Sequence, residues 1–206
     1  MGEIDKRGQI LEVAEEIFAR KGYSEATMRE IAERLDMKKP SLYHHFRSKE
    51  DIYSTLIIDI YEQLLDELAG LLQEGDTIEE KVRLGVSRII DIWARHPNYP
   101  TIMAFEIATG SDLISSELLP KIWKPRLDEA TEAFERAKAR EPRCRDVDSR
   151  MLIMMVFGIP LFYFFSAPIF SALLGEDSLS PEMIERFKRE LTELILYGLQ
   201  KSEAVK

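Results

Sequence analysis

Apolar residues in this chain recur every three or four positions from one end to the other, while strand-like alternation does not recur. That period is the signature of α-helices with one buried face, so the pattern predicts an all-α fold. In "QILEVAEEIFARKG", Ile10, Ala14, Ile17 and Phe18 make one stripe, and Gly22 stops it. "TMREIAERLD" opens with Thr27 and Glu30 at the spacing of a capping box, in which each side chain satisfies an orphan backbone N–H. Ile31, Ala32 and Leu35 form the inner stripe of that second helix. After a short break at Asp36 and Met37, "KKPSLYHHF" sets Pro40 where a first helical turn tolerates a missing N–H. Leu42 and Phe46, four apart, share one face. Pro40, Ser41, Tyr43, His44 and Arg47 are left pointing largely the other way, a cluster of donors with no core to enter.

The charge distribution suggests what meets them. A net charge of −9 speaks against a protein that coats nucleic acid over its whole surface. The first 50 residues, however, balance ten Lys/Arg against ten Asp/Glu, so the whole deficit lies in the remaining 156. Between residues 27 and 49, Arg29, Arg34, Lys38, Lys39, Arg47 and Lys49 outnumber Glu30, Glu33 and Asp36. A local positive face therefore sits on an acidic body. At 206 residues the chain can bury a core without disulfides or metals, the single Cys144 cannot form an internal disulfide, and no signal-like segment opens it. The expected location is the cytoplasm.

Two short helices joined by a tight turn, the second polar on its outer face and a third helix supporting them, make the layout of a DNA-binding helix-turn-helix. Residues 8–53 resemble the DNA-binding domain of the TetR/AcrR family of transcriptional repressors. The likeness rests on "A..F...G" in the first helix, "T...IA" in the second, "LYHHF" in the third and "SKE" opening the fourth. Where that family often has Gly in the turn, this chain has Asp36, which tolerates a left-handed conformation. The resemblance implies that Lys39, Ser41 and His44 contact base edges, and that Tyr43, His45, Lys49 and Thr27 hold phosphates. Pro40 is a candidate for contact with a thymine methyl, and Arg29 for a groove edge or a phosphate. Plainer readings stand beside these. Arg34 and Arg47 read equally well as solvated, His45 lies on the Leu42 and Phe46 side where a structural role would suit it, and adjacent histidines are poor geometry for a metal site.

Beyond residue 53 the helical pattern continues. "EDIYSTLIIDIYEQLLDELAGLL" predicts a helix of roughly twenty residues, about 30 Å long. Further starts are expected at Thr77 with Glu80, near Asn98 and Pro100, near Pro125, near Asp146 and at Ser180 with Pro181, for about nine helices in all. The predicted organisation is a helix-turn-helix domain over residues 1–53, then an antiparallel helical bundle over 54–206 for effector binding and dimerisation. Met151 to Gly175 carries no charge and is long enough to span a bilayer, but Gly158, Pro160 and Pro168 interrupt it. Burial between a pocket and a partner subunit explains it better than a membrane does. By resemblance, residues from about 147 to 174 and 181 to 201 form the homodimer interface, with Phe157, Leu161, Phe165, Phe187, Leu191, Leu194 and Ile195 as its candidates. A two-fold pair of reading heads implies a palindromic double-stranded DNA operator.

The middle helices are expected to enclose a pocket for a small hydrophobic effector. Its candidate lining is Trp93, His96, Met103, Phe105, Glu106, Trp123, Phe134, Met155 and Phe162, with Met154, Phe157 and Phe165 as further candidates. Glu106 interrupts the apolar run "IMAFEIA". Pairing with a cationic ligand or with His96 is one reading, and an acid at a helix edge facing water is the plainer one. No glycine-rich phosphate loop, metal-ligand cluster or nucleophile with a base partner is evident, so neither catalysis nor a cofactor or metal is expected. The function expected is ligand-responsive repression by a dimer; a ligand-independent helix-turn-helix protein is the alternative.

Overall fold

The computed structural model describes residues 6–69, 74–109, 120–121, 123–142 and 144–199, and its regular elements are ten α-helices. In chain order they are α1 (Lys6–Glu25), α2 (Met28–Arg34), α3 (Lys39–His45), α4 (Lys49–Ala69), α5 (Ile78–Arg95), α6 (Tyr99–Thr109), α7 (Lys124–Ala139), α8 (Ser149–Phe165), α9 (Ala167–Leu174) and α10 (Pro181–Leu199). The all-α expectation holds, and the count exceeds the expected nine because the long apolar run breaks at Ser166 into α8 and α9, bent by 66°. Among the described residues no single helix is long and apolar enough to cross a membrane.

Local sequence accounts for most of the ends. Thr77 and Glu80 complete a reciprocal capping box on α5, whereas at α2 only half of one forms. Thr27 accepts from the Glu30 backbone N–H at 3.1 Å, but the Glu30 carboxylate turns to Arg20 and Lys21 instead. Asp148 caps α8 and Ser48 caps α4, each by accepting backbone N–H groups. Asp36 takes the left-handed turn conformation, with φ of 50°, that lets α2 pass into α3. Gly22, at φ 75°, kinks α1 near its end.

Ile10, Ala14, Ile17 and Phe18 of α1 close with Ile31, Leu42 and Phe46 over a small buried core, which fixes the N-terminal head. Helix α4 leaves this head and enters the body, where α5 packs between α8 and α10, and α7 covers α8. Helix α6 lies against both α1 and α8, so it touches head and body at once.

Candidate nucleic-acid interface and effector cavity

The outer face of α3 follows from its inner one. Burial of Leu42 and Phe46 leaves Lys39, Pro40, Tyr43 and His44 outside, where they line a shallow groove, with Ser41 half-buried beside them. Tyr43 is 45% exposed although nothing polar forces its ring into water, and the Lys39 ammonium sits 6.0 Å from the ring centroid. His45, for which a structural place beside Leu42 and Phe46 was an alternative, is exposed. Thr27 is also exposed, its hydroxyl oxygen already accepting from Glu30.

The cations divide into two sets. Arg29 is held by Glu33 at 2.7 Å and Arg34 by Glu16, so α2 presents its charge already paired. Lys38, Lys39 and Arg47 have no ion pair among the described residues, which concentrates free positive charge around α3. Lys49 belongs to neither set. Its ammonium donates to the backbone carbonyls of Tyr23, Ser24 and Ala26 at 2.7, 3.3 and 3.0 Å and lies 4.2 Å from the Tyr23 ring centroid. In the free protein this lysine ties α4 to the end of α1, a role sequence spacing did not indicate.

A second site lies in the body. A cavity of about 170 Å³ opens between α4, α5, α7 and α8, with walls that are almost entirely apolar. The charged residues lining it are Lys81 and Arg126, both cationic. Of the residues expected there, Trp123, Phe134 and Phe157 line it, the last of them a candidate for the dimer interface as well. Trp93 and Met103 are buried in the core, His96 stacks on Tyr99 at 4.5 Å, and Phe105, Met154, Met155 and Phe162 are exposed. These differences have one cause: helical period assigns a residue to a face, and only packing decides whether that face meets cavity, core or solvent. Leu65, Val82, Gly85 and Ile153, small or aliphatic residues that line the cavity, were missed because they look like any core position.

Glu106 departs from its plainer reading. The residue is only 4% exposed, and its Oε2 has no hydrogen-bond partner among the described residues. His96 lies instead near Glu15, which Asn98 bonds at 3.0 Å. Burial raises the phenol pKa values of Tyr53 and Tyr61, and the nearby Glu106 side chain raises both further. Tyr53 in turn packs on Tyr23 at 4.7 Å, and Tyr61 meets Trp123 edge-on at 5.6 Å. Ring contacts thus join Tyr61 to the cavity wall at Trp123, and Tyr53 through Tyr23 to Lys49 in the head, while Glu106 acts electrostatically on both Tyr61 and Tyr53.

A helix-turn-helix head with a locally cationic face, on a helical body with an apolar cavity, defines a class, the DNA-binding regulators with a sensory domain. Residues 10–56 match the family model of bacterial regulatory proteins, tetR family, and residues 79–195 match that of the tetracyclin repressor-like C-terminal domain. The HTH-type transcriptional activator FasR of Mycolicibacterium smegmatis is 33% identical over 87 residues, which cover 42% of this chain and 40% of FasR. The ketosteroid transcriptional regulator KstR2 of Mycobacterium tuberculosis has the same fold, with a TM-score of 0.76 at 18% identity over 98% of each chain. The regulator FadR from Bacillus subtilis, solved in complex with stearoyl-CoA, gives 0.69 at 22% identity over 95% of this chain and 100% of that one. The chain belongs to the TetR family, and it is a DNA-binding transcriptional regulator.

Proposed function

We propose that the protein is a cytoplasmic, homodimeric repressor that binds a palindromic operator and is released from it by a mainly hydrophobic small molecule. The observation that carries this reading is the pairing of two unfilled surfaces: the unpaired cationic face around α3 and the apolar cavity in the body. Lys39, Ser41 and His44 read base edges, Pro40 meets a thymine methyl, and Tyr43, His45 and Thr27 hold the backbone. Arg29 must release Glu33 before it can add to them.

Dimerisation is supported by the apolar outer faces of α8 and α10. Phe162, Phe165, Leu194 and Tyr197 are exposed there, a grouping of large apolar side chains of the kind that marks an interaction surface. Within that interface Phe165 and Leu194 are available for contact, Leu161, Phe187 and Ile195 are half-buried, and Phe157 and Leu191 support it from inside. The effector class is supported by the apolar lining with its two cations, which suits a lipid-like molecule bearing an anionic group, and by FadR's complex with stearoyl-CoA. Occupancy acts by shifting the population toward a head spacing that no longer fits successive major grooves.

Selection of bound sequences from random duplex DNA at two salt concentrations tests the reading. Wild type is expected to recover a palindrome, Lys39→Ala to alter the base preference, and Tyr43→Ala to bind the same sequence more weakly. Absence of enrichment at both salts would sink the proposal.

A further inference from the structure

The cavity stops at a wall behind which polar atoms have no partners. Leu65 of α4 and Ile89 of α5 line that end, together with Trp123 and Phe157. One helical turn further along α4 and α5, about 6 Å, stand Tyr61 and Trp93. The Phe157 ring lies edge-on to both indoles, at 5.8 Å from Trp93 and 5.2 Å from Trp123. Both indole N–H groups are buried without an acceptor among the described residues, as Glu106 Oε2 is without a donor. Buried polar groups are nearly always paired, so two such indoles against one ring at the cavity wall, with the buried Glu106 beyond Tyr61, mark a place that receives something.

Their chemistry narrows what. Indole N–H groups require an acceptor and a carboxylate oxygen requires a donor. A hydroxyl is both. A ketone would leave the carboxylate unmet, a second carboxylate would be repelled by it, and an ammonium would leave the indoles unmet. We propose that the effector site continues past the Trp123 and Phe157 rings to Glu106, and that the effector is an apolar molecule carrying a hydroxyl at the end that enters first. This rests on the cavity being the effector site. It adds a specificity residue, Glu106, whose side chain also acts electrostatically on Tyr53, the tyrosine that packs on Tyr23 of the head.

The test uses the full chain and two matched probes, dodecanoic acid and 12-hydroxydodecanoic acid, titrated by calorimetry. Wild type is expected to bind the hydroxylated probe about tenfold more tightly, the gain of one buried hydrogen bond. Glu106→Leu should lose the preference for the hydroxylated probe, while Glu106→Gln, which keeps an acceptor, should retain most of it. Trp123→Phe keeps the ring, removes one N–H and should lower the preference in part, which keeps the test open should Glu106→Leu fold poorly. Equal affinity of wild type for the two probes, or a preference that survives Glu106→Leu, overturns the proposal while leaving the cavity reading intact. Binding of neither probe removes both.

Discussion

At the scale of single residues, the free protein commits Lys49 to its own backbone. Three carbonyl oxygens between Tyr23 and Ala26 receive its ammonium hydrogens, and the Tyr23 ring supplies a cation–π contact. A phosphate near the start of α4 would compete with all of these. Lys49→Ala is therefore expected to destabilise the DNA-free protein by about 1–2 kcal/mol, seen as a lower urea midpoint. An unchanged midpoint, with weaker DNA binding and a salt slope smaller by about one charge, would return the lysine to the operator backbone. The sequence showed that a lysine stands at this position, because the "SKE" spacing is local. It could not show that the lysine's partners lie more than twenty residues earlier, since that contact exists only once α1 and α4 have packed.

Among the elements, α4 and α6 bury titratable side chains, Tyr53, Tyr61, Tyr99 and Glu106. A helical stripe is readable when each residue's surroundings follow from its own helix, as with Ile10, Ala14, Ile17 and Phe18. Glu106 fails that condition: α6 is apolar on every side, so periodicity offers no inner face, and contact with α1 and α8 buries the acid. The same packing has a consequence at alkaline pH. Tyr61 is buried, and its phenol is held above the ordinary value, first by loss of water and then by Glu106. A folded-state pKa above the unfolded one means that the native chain keeps a proton the unfolded chain releases, so stability is full below about pH 10 and falls as pH rises beyond it. Tyr53 acts in the same direction, and so does Tyr99, whose phenol is pushed up to about 12. Tyr61→Phe keeps the edge contact with Trp123 and removes one titrating group. Urea unfolding of wild type and variant between pH 10 and 12 should show a slope shallower by about 1.4 kcal/mol per pH unit in the variant; parallel slopes would mean that Tyr61 ionises as readily in the fold as out of it.

For the molecule as a whole, the reading head was more legible in sequence than the body. The head is built from near neighbours, so Thr27, Asp36, Leu42 and Phe46 identify its turn and inner face from spacing alone. The body assembles helices from distant parts of the chain, and three apolar surfaces, the core, the cavity and the outer face of α8 and α10, look alike in one dimension. Phe157 and Leu194 illustrate this: both stand in apolar stripes, yet Phe157 lines the cavity and Leu194 is 70% exposed. In the proposed dimer, the exposed one meets the partner. Under two-fold symmetry a patch meets its own copy, so a charge placed at its centre meets a like charge across a desolvated contact. Leu194→Glu alters no buried packing within the protomer and keeps a good helix former in α10. It is expected to give a folded monomer by sedimentation at micromolar concentration, with wild-type helicity. Since each head alone contacts only a few base pairs, affinity for the palindrome should fall at least a hundredfold, while the weak, salt-sensitive binding of a single head to nonspecific DNA persists. A Leu194→Glu protein that sedimented as a dimer and held the palindrome would move the interface away from α10.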